Sequence, residues 1–171
     1  MQKRVHIVGR KKHGKTTLIV ALIEELCRRN LRVGGIKHSL HDHDLDAPGK
    51  DSYRHRQAGA QPAAIVTPAL LGVFLPLHSG QCPYDLLEPL YRQCDLLLVE
   101  GDIDAEGPKV EVWRQSAGGS CLASERNEIL AVISDEVPEI AVPIWPRRNV
   151  PLIADEILRL ISSFKRITPH E

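Results

Sequence analysis

Residues 9–16 read Gly9-Arg10-Lys11-Lys12-His13-Gly14-Lys15-Thr16, two glycines with four residues between them and then, at once, a lysine and a hydroxyl. That spacing works in one local geometry only. The glycines let the backbone turn so that successive N–H groups point inward, and a helix opening at the second glycine aims its N-terminus at the same spot. The product is a nest for the phosphates of a nucleotide, and it needs a strand before it and a helix after it. Val5-His6-Ile7-Val8 is a β-branched run leading into Gly9. From Lys15 to about Arg29, Leu18, Leu22, Ile23 and Leu26 share one helical face, and Glu24, Glu25, Arg28 and Arg29 take the other. Gly9, Arg10, Lys11, Lys12, His13, Gly14, Lys15, Thr16 and Thr17 are therefore the expected nucleotide-binding residues. Lys15 is expected to reach the β- and γ-phosphates and Thr16 to offer its hydroxyl to Mg2+. Lys15 and Arg10 are the candidate catalytic cations.

The remaining pattern alternates strands with helices. Strands are expected at Leu31–Ile36, Ala63–Thr67, Gly72–Leu77, Asp95–Val99, Val110–Trp113, Ile129–Ile133 and Ala141–Ile144. Helices are expected from about Gly49 to Ala58, from Tyr84 to Gln93, and from 151 to 164 behind Pro151. This order implies an α/β protein, a three-layer P-loop NTPase fold with a mostly parallel sheet. Val110–Trp113 alternates in polarity and reads as an outer strand. With the short strands at 63–77 it is available for a small antiparallel extension. The length of 171 residues suits one domain, residues 1–171.

Asp95-Leu96-Leu97-Leu98-Val99-Glu100-Gly101 is an apolar strand closed by a carboxylate. Ligands of open α/β sheets gather at the carboxyl ends of strands. Glu100 is thus expected beside the phosphates, serving the water shell of Mg2+. His38, His41, Asp42, His43, Asp44 and Asp46 crowd the loop after the second strand. A nucleotide-sensitive switch with Asp46 or Asp44 facing Mg2+, a transition-metal site and a plain polar loop are the three readings, the switch favoured. Lys50, Arg54 and Arg56 follow on one short helix, either as contacts for an anion such as a pterin phosphate or as a solvated face.

Lys plus Arg and Asp plus Glu both number 22, so the net charge is zero. A nucleic-acid or anionic-membrane binder would carry a basic excess. No apolar run approaches the ~20 residues that span a bilayer, and no signal peptide precedes the first strand. The four cysteines, Cys27, Cys82, Cys94 and Cys121, form no CxxC or zinc spacing and read as free thiols of a cytoplasmic protein.

Taken in order, Gly9-x4-Gly14-Lys15-Thr16-Thr17-Leu18, Ile36-Lys37-His38, His41 and Asp46 leading into Pro48-Gly49-Lys50-Asp51-Ser52, Ala58-Gly59-Ala60 and Leu98-Val99-Glu100-Gly101 resemble one family. It is the molybdopterin-guanine dinucleotide biosynthesis protein B family, and the resemblance covers roughly residues 3–160. The resemblance implies a small GTP-binding protein with weak GTPase activity, often dimeric, that assists a guanylyltransferase partner in molybdenum cofactor assembly. Where the family commonly continues Glu-Gly with Phe-Lys, this chain has Asp102-Ile103. Two other readings use the same fold, a metallochaperone GTPase resting on the histidine loop, and an ATP-dependent kinase or ligase. No Asn-Lys-x-Asp segment occurs, so the base is open. Arg10 also has two readings. It adds positive potential at its own site, or it reaches across a dimer as the lysine at this position does in related P-loop proteins.

Overall fold

A computed structural model describes residues 3–41 and 44–164. The chain divides into two compact units, one formed by residues up to Ser39 and from Glu88 onward, the other by Leu40–Leu87.

The first unit is built on six strands, β1 (Arg4–Val8), β2 (Val33–Lys37), β5 (Leu96–Glu100), β6 (Lys109–Val112), β7 (Ile129–Ile133) and β8 (Ile144–Trp145). Their order across the sheet is β2-β5-β1-β6-β7-β8, and every pairing is parallel. All six carboxyl ends therefore lie along one edge. Side chains alternate between faces. Val5 and Ile7, Leu96 and Leu98, Val110 and Val112, and Ala131 and Ile133 join one core cluster. Two helices complete that cluster. Leu18, Leu22 and Leu26 come from α1 (Lys15–Arg28), and Ile153, Ala154, Ile157 and Ile161 from α4 (Val150–Phe164). Each fully buried Leu or Ile contributes about 1.5–3 kcal/mol. Asn30, at φ 63°, ends α1, and the Asn149 side chain caps α4 by accepting from the Leu152 N–H at 3.1 Å. Arg29 links the helices through Asp155 at 2.5 Å.

β6 corrects the sequence reading. It is not an outer strand but lies between β1 and β7, and all four of its residues are buried. Its polar positions misled the pattern because each finds partners inside the protein. Lys109 Nζ donates to the carbonyls of Ala105 and Gly107, and the Glu111 carboxylate accepts from the segment at 121–123. On this second face Trp113, Cys121 and Val132 form a smaller cluster.

The second unit holds α2 (Asp51–Gln57), the antiparallel hairpin β3 (Ala63–Val66) and β4 (Leu71–Phe74), and the start of α3 (Pro83–Tyr91). The hairpin turn is tied by Thr67, whose N–H and hydroxyl both donate to Leu70 O, while its Oγ1 accepts from the Leu70 N–H. This is the antiparallel piece the sequence suggested at 63–77, as a separate two-stranded sheet that excludes β6. Ile65, Val66, Leu70, Leu71 and Val73 are exposed along it.

Candidate functional site

The parallel sheet delivers a loop from every strand to one edge. The β1 loop is the glycine-rich segment. Gly9 has φ 139°, and a Cβ there would stand 2.4 Å from the Val112 carbonyl oxygen, so the first glycine is set by contact with β6. Gly14 has φ 84° and sits as the left-handed N-cap of α1, with Leu18 N donating to its carbonyl at 3.1 Å. Lys15 folds back over the loop, its Nζ donating to Gly9 O at 2.7 Å and Arg10 O at 2.8 Å. Burial lowers the Lys15 pKa from its ordinary value; nearby Glu100 opposes this and Lys37 adds to it.

Glu100 ends β5 as its sequence position suggested, and it is buried. The Thr16 hydroxyl lies 2.9 Å from both of its carboxylate oxygens, and Lys37 Nζ, at the end of β2, donates to Oε1 at 2.6 Å. Two strand ends and the first turn of α1 thus gather a hydroxyl, a carboxylate and two ammonium groups around the phosphate loop. A hydroxyl and a carboxylate are hard oxygen donors of the kind Mg2+ takes, since it binds through one or two protein oxygens and fills its shell with water and phosphate. The donor set fits that ion.

The basic interior of the loop is less uniform than its composition suggests. His13 is buried, its Nδ1 accepting from Arg114 N–H at 3.0 Å and its Nε2 donating to Gly118 O at 3.1 Å. The backbone donor at Nδ1 fixes the tautomer. The imidazole is a strut, and only the main chain of His13 is left to face a phosphate. Arg10 turns toward the same segment, donating to Ser120 O at 3.1 Å and Ser120 Oγ at 2.9 Å, and pairing with Glu125 at 3.2 Å. Lys11, Lys12 and Thr17 are exposed, and Lys12 adopts φ 70°.

Several residues around this edge had no role in the sequence reading. Arg114 follows β6, Asp135 follows β7 and Arg147 follows β8, each two residues past the strand end. Arg147 Nη2 donates to Gly14 O at 3.1 Å. Burial and the adjacent Arg114 lower the Arg147 pKa from its ordinary value, and Asp135 and Glu136 oppose this. With Thr17 and Ala21 of α1, these residues line a cavity of about 530 Å3. The one cue available was their place just past a strand.

Asp46 belongs to the second unit, where its carboxylate accepts from the Ser52 hydroxyl at 3.0 Å and lies 3.7 Å from Arg56. Arg56 also approaches Asp44 and covers the Phe74 ring at 5.2 Å, while Lys50 and Arg54 are exposed. Among the described residues no three His, Cys, Asp or Glu are grouped to hold a metal ion; Asp42 and His43 lie outside the described residues.

Comparison with known proteins agrees with this arrangement. Residues 4–135 match the family profile described as molybdopterin guanine dinucleotide synthesis protein B. The molybdopterin-guanine dinucleotide biosynthesis adapter protein of Escherichia coli (strain K12) is 35% identical over 151 residues, 85% of either chain. The protein of the same name from Haemophilus influenzae is 34% identical over 159 residues, 92% of this chain and 89% of that one. The crystal structure of a MobB protein homolog from Bacillus stearothermophilus superimposes with a TM-score of 0.66 at 28% identity, covering 93% of this chain and 99% of that one. The mostly parallel sheet, the phosphate loop and these matches agree, and the chain belongs to the molybdopterin guanine dinucleotide synthesis protein B family.

Proposed function

We propose that this protein is an adapter in molybdopterin guanine dinucleotide synthesis that binds GTP with Mg2+, hydrolyses it slowly, and works beside a guanylyltransferase partner. The observation that carries the reading is the cluster of Lys15, Thr16, Lys37 and Glu100 at the carboxyl ends of β1, β2 and β5. In this cluster Lys15 is held by two carbonyl oxygens of the loop it serves. An arriving β- or γ-phosphate offers stronger, charged acceptors for the same ammonium group. Lys37 keeps a cation against Glu100, which limits repulsion between that carboxylate and the phosphates. Mg2+, held through Thr16 and Glu100, would neutralise phosphate charge. Catalysis here rests on positioning and charge, with Lys15 as the main cation and Arg10 as the second.

We further propose that the protein acts as a homodimer in the cytoplasm. The exposed apolar row Ile65, Val66, Leu70, Leu71 and Val73 supports self-association, since a solvent-facing row of this kind marks an interface. The exposed thiols of Cys27 and Cys82 suit a reducing compartment. Titration calorimetry with GTP and Mg2+ tests the central reading. Lys15→Ala should lower affinity by at least about 100-fold while the thermal transition stays within a few degrees of wild type. Wild-type affinity in a folded Lys15→Ala protein would overturn it.

A further inference from the structure

The second unit carries a cavity of its own, bounded by the C-terminal turn of α2, the link at 60–61 and the end of β4. At about 360 Å3 it falls in the range of small-molecule sites. Leu45, Phe74, Leu75 and Pro76 give it apolar walls, and Arg56, Gln57 and Gln61 bring the polar groups. Arg56 is held there by two contacts. Its Nη1 is buried and lies 3.8 Å from Asp44 and 3.7 Å from Asp46, which balances its charge without making a hydrogen bond. Its guanidinium also lies over the Phe74 ring, 5.2 Å from the centroid. Among the described residues no hydrogen bond uses Nε or Nη2, so a planar fork is fixed in place with two adjacent donors unspent. The exposed amides of Gln57 and Gln61 are likewise without hydrogen-bond partners among the described residues.

A fork of two parallel donors takes a pair of adjacent acceptors. Carboxylate and phosphate offer that pair with negative charge. Asp44 and Asp46 count against them, because two carboxylates already face one guanidinium and a further anion would meet their repulsion. A neutral ring with a carbonyl beside a ring nitrogen offers the same pair without charge. O6 and N7 of guanine are arranged so, as are O4 and N5 of an oxidised pterin. Both rings carry N–H donors on the next edge, for which the Gln57 and Gln61 amides supply acceptors. Adenine places an amino group beside N7 and so aims a donor at the fork. We propose that this cavity binds a neutral oxo-heterocycle of the guanine or pterin type, with Arg56 reading its carbonyl edge. The site lies wholly in the second unit, so the proposal stands apart from the nucleotide reading of the phosphate loop.

Calorimetry with pterin, guanosine and adenosine tests it, on the whole protein with and without GDP and Mg2+. Wild type should bind pterin, guanosine or both whether or not GDP is present, and adenosine at least about 10-fold more weakly. Pterin alone would identify a pteridine as the ligand, and guanosine alone a purine. Arg56→Lys keeps the charge but loses the fork, and should weaken the bound ring by about 10-fold or more. Gln57→Leu alters an exposed residue and carries the test should Arg56→Lys fail to fold; it should cost about 3- to 10-fold. Inorganic phosphate should not displace the ring. Binding of neither ring by wild type, equal binding of adenosine, or displacement by phosphate would overturn the proposal. So would unchanged affinity in folded Arg56→Lys, or in Gln57→Leu where Arg56→Lys does not fold. Loss of binding on adding GDP and Mg2+ would put the ring at the phosphate loop and overturn it as well. Absence of GDP binding would count against the nucleotide reading alone.

Discussion

Glu111 sits at the centre of the sheet with no solvent exposure, yet its carboxylate is fully used. Oε1 accepts from Leu122 N–H at 2.9 Å, and Oε2 accepts from Ala123 N–H at 2.9 Å and the Cys121 thiol at 3.0 Å. It therefore holds the start of the 3-10 turn at Leu122–Ser124. A hydrogen bond to a charged group contributes about 1.5–3 kcal/mol, and removing one side strands the buried partner. Truncation by Glu111→Ala removes two such amide bonds and a weaker thiol bond, and local relaxation returns part of the loss. We expect a net cost of about 3–5 kcal/mol by urea unfolding, and a fall in Tm of about 6–20 °C. A second readout separates this contact from general weakening. Burial, reinforced by the hydrogen bond and charge of Glu111, pushes the Cys121 thiol up to about 12. In Glu111→Ala the native thiol should alkylate faster. Glu111→Gln should fall between, since one amide oxygen still accepts but the –NH2 faces a donor. The same segment carries Gly118, Ser120 and Glu125, which hold His13 and Arg10, so GTP affinity should drop as well. Glu111→Ala within 1 kcal/mol of wild type, with unchanged alkylation, would refute this account.

Gly9→Ala should cost more than about 2 kcal/mol and abolish GTP binding, because its methyl meets the Val112 carbonyl; calorimetry and thermal melts check both. Thr16→Ala and Glu100→Gln should weaken binding in Mg2+ by a larger factor than in EDTA, and equal factors would count against their metal role. Burial, aided by the Arg4 and Lys109 charges and opposed by the Gly101 carbonyl and Asp102, lowers the His6 pKa from 6.5 to about 4. The unfolded chain then binds the extra proton between these values, so stability is full above 6.5 and falls as pH drops toward 4, by about 2–3 kcal/mol. Urea unfolding across that range should show the loss, and His6→Leu should flatten it.

The phosphate loop and Glu100 were legible in the sequence because each depends on local spacing next to a strand. The inner strands β5 and β7 were legible because their apolar runs are continuous, and β1 because Val5, Ile7 and Val8 lead straight into Gly9. β6 was misread for a physical reason. Lys109 and Glu111 look like the solvent face of an edge strand, and only the fold shows that carbonyls and amides of distant loops satisfy them. β2 begins at Val33, two residues past the expected start, because Leu31 and Arg32 follow the left-handed Asn30 and still belong to the turn out of α1. Arg114, Asp135 and Arg147 stand in three separate stretches with no common spacing. The strand order β1-β6-β7-β8 brings them together, and single-residue patterns do not encode that order.

The position of β1 also sets a timetable for folding. β1 leaves the ribosome well before the two strands it lies between, Arg4 pairing with Leu97 and His6 with Lys109. At synthesis rates of roughly 5–20 residues per second, β1 and α1 wait about 5–20 s before either neighbour exists. During that interval the apolar face of α1, with Leu18, Leu22 and Leu26, has no sheet to cover it. The chain therefore emerges with its phosphate loop complete in sequence but unsupported, and it becomes a binding site only when β5 and β6 close on either side of β1.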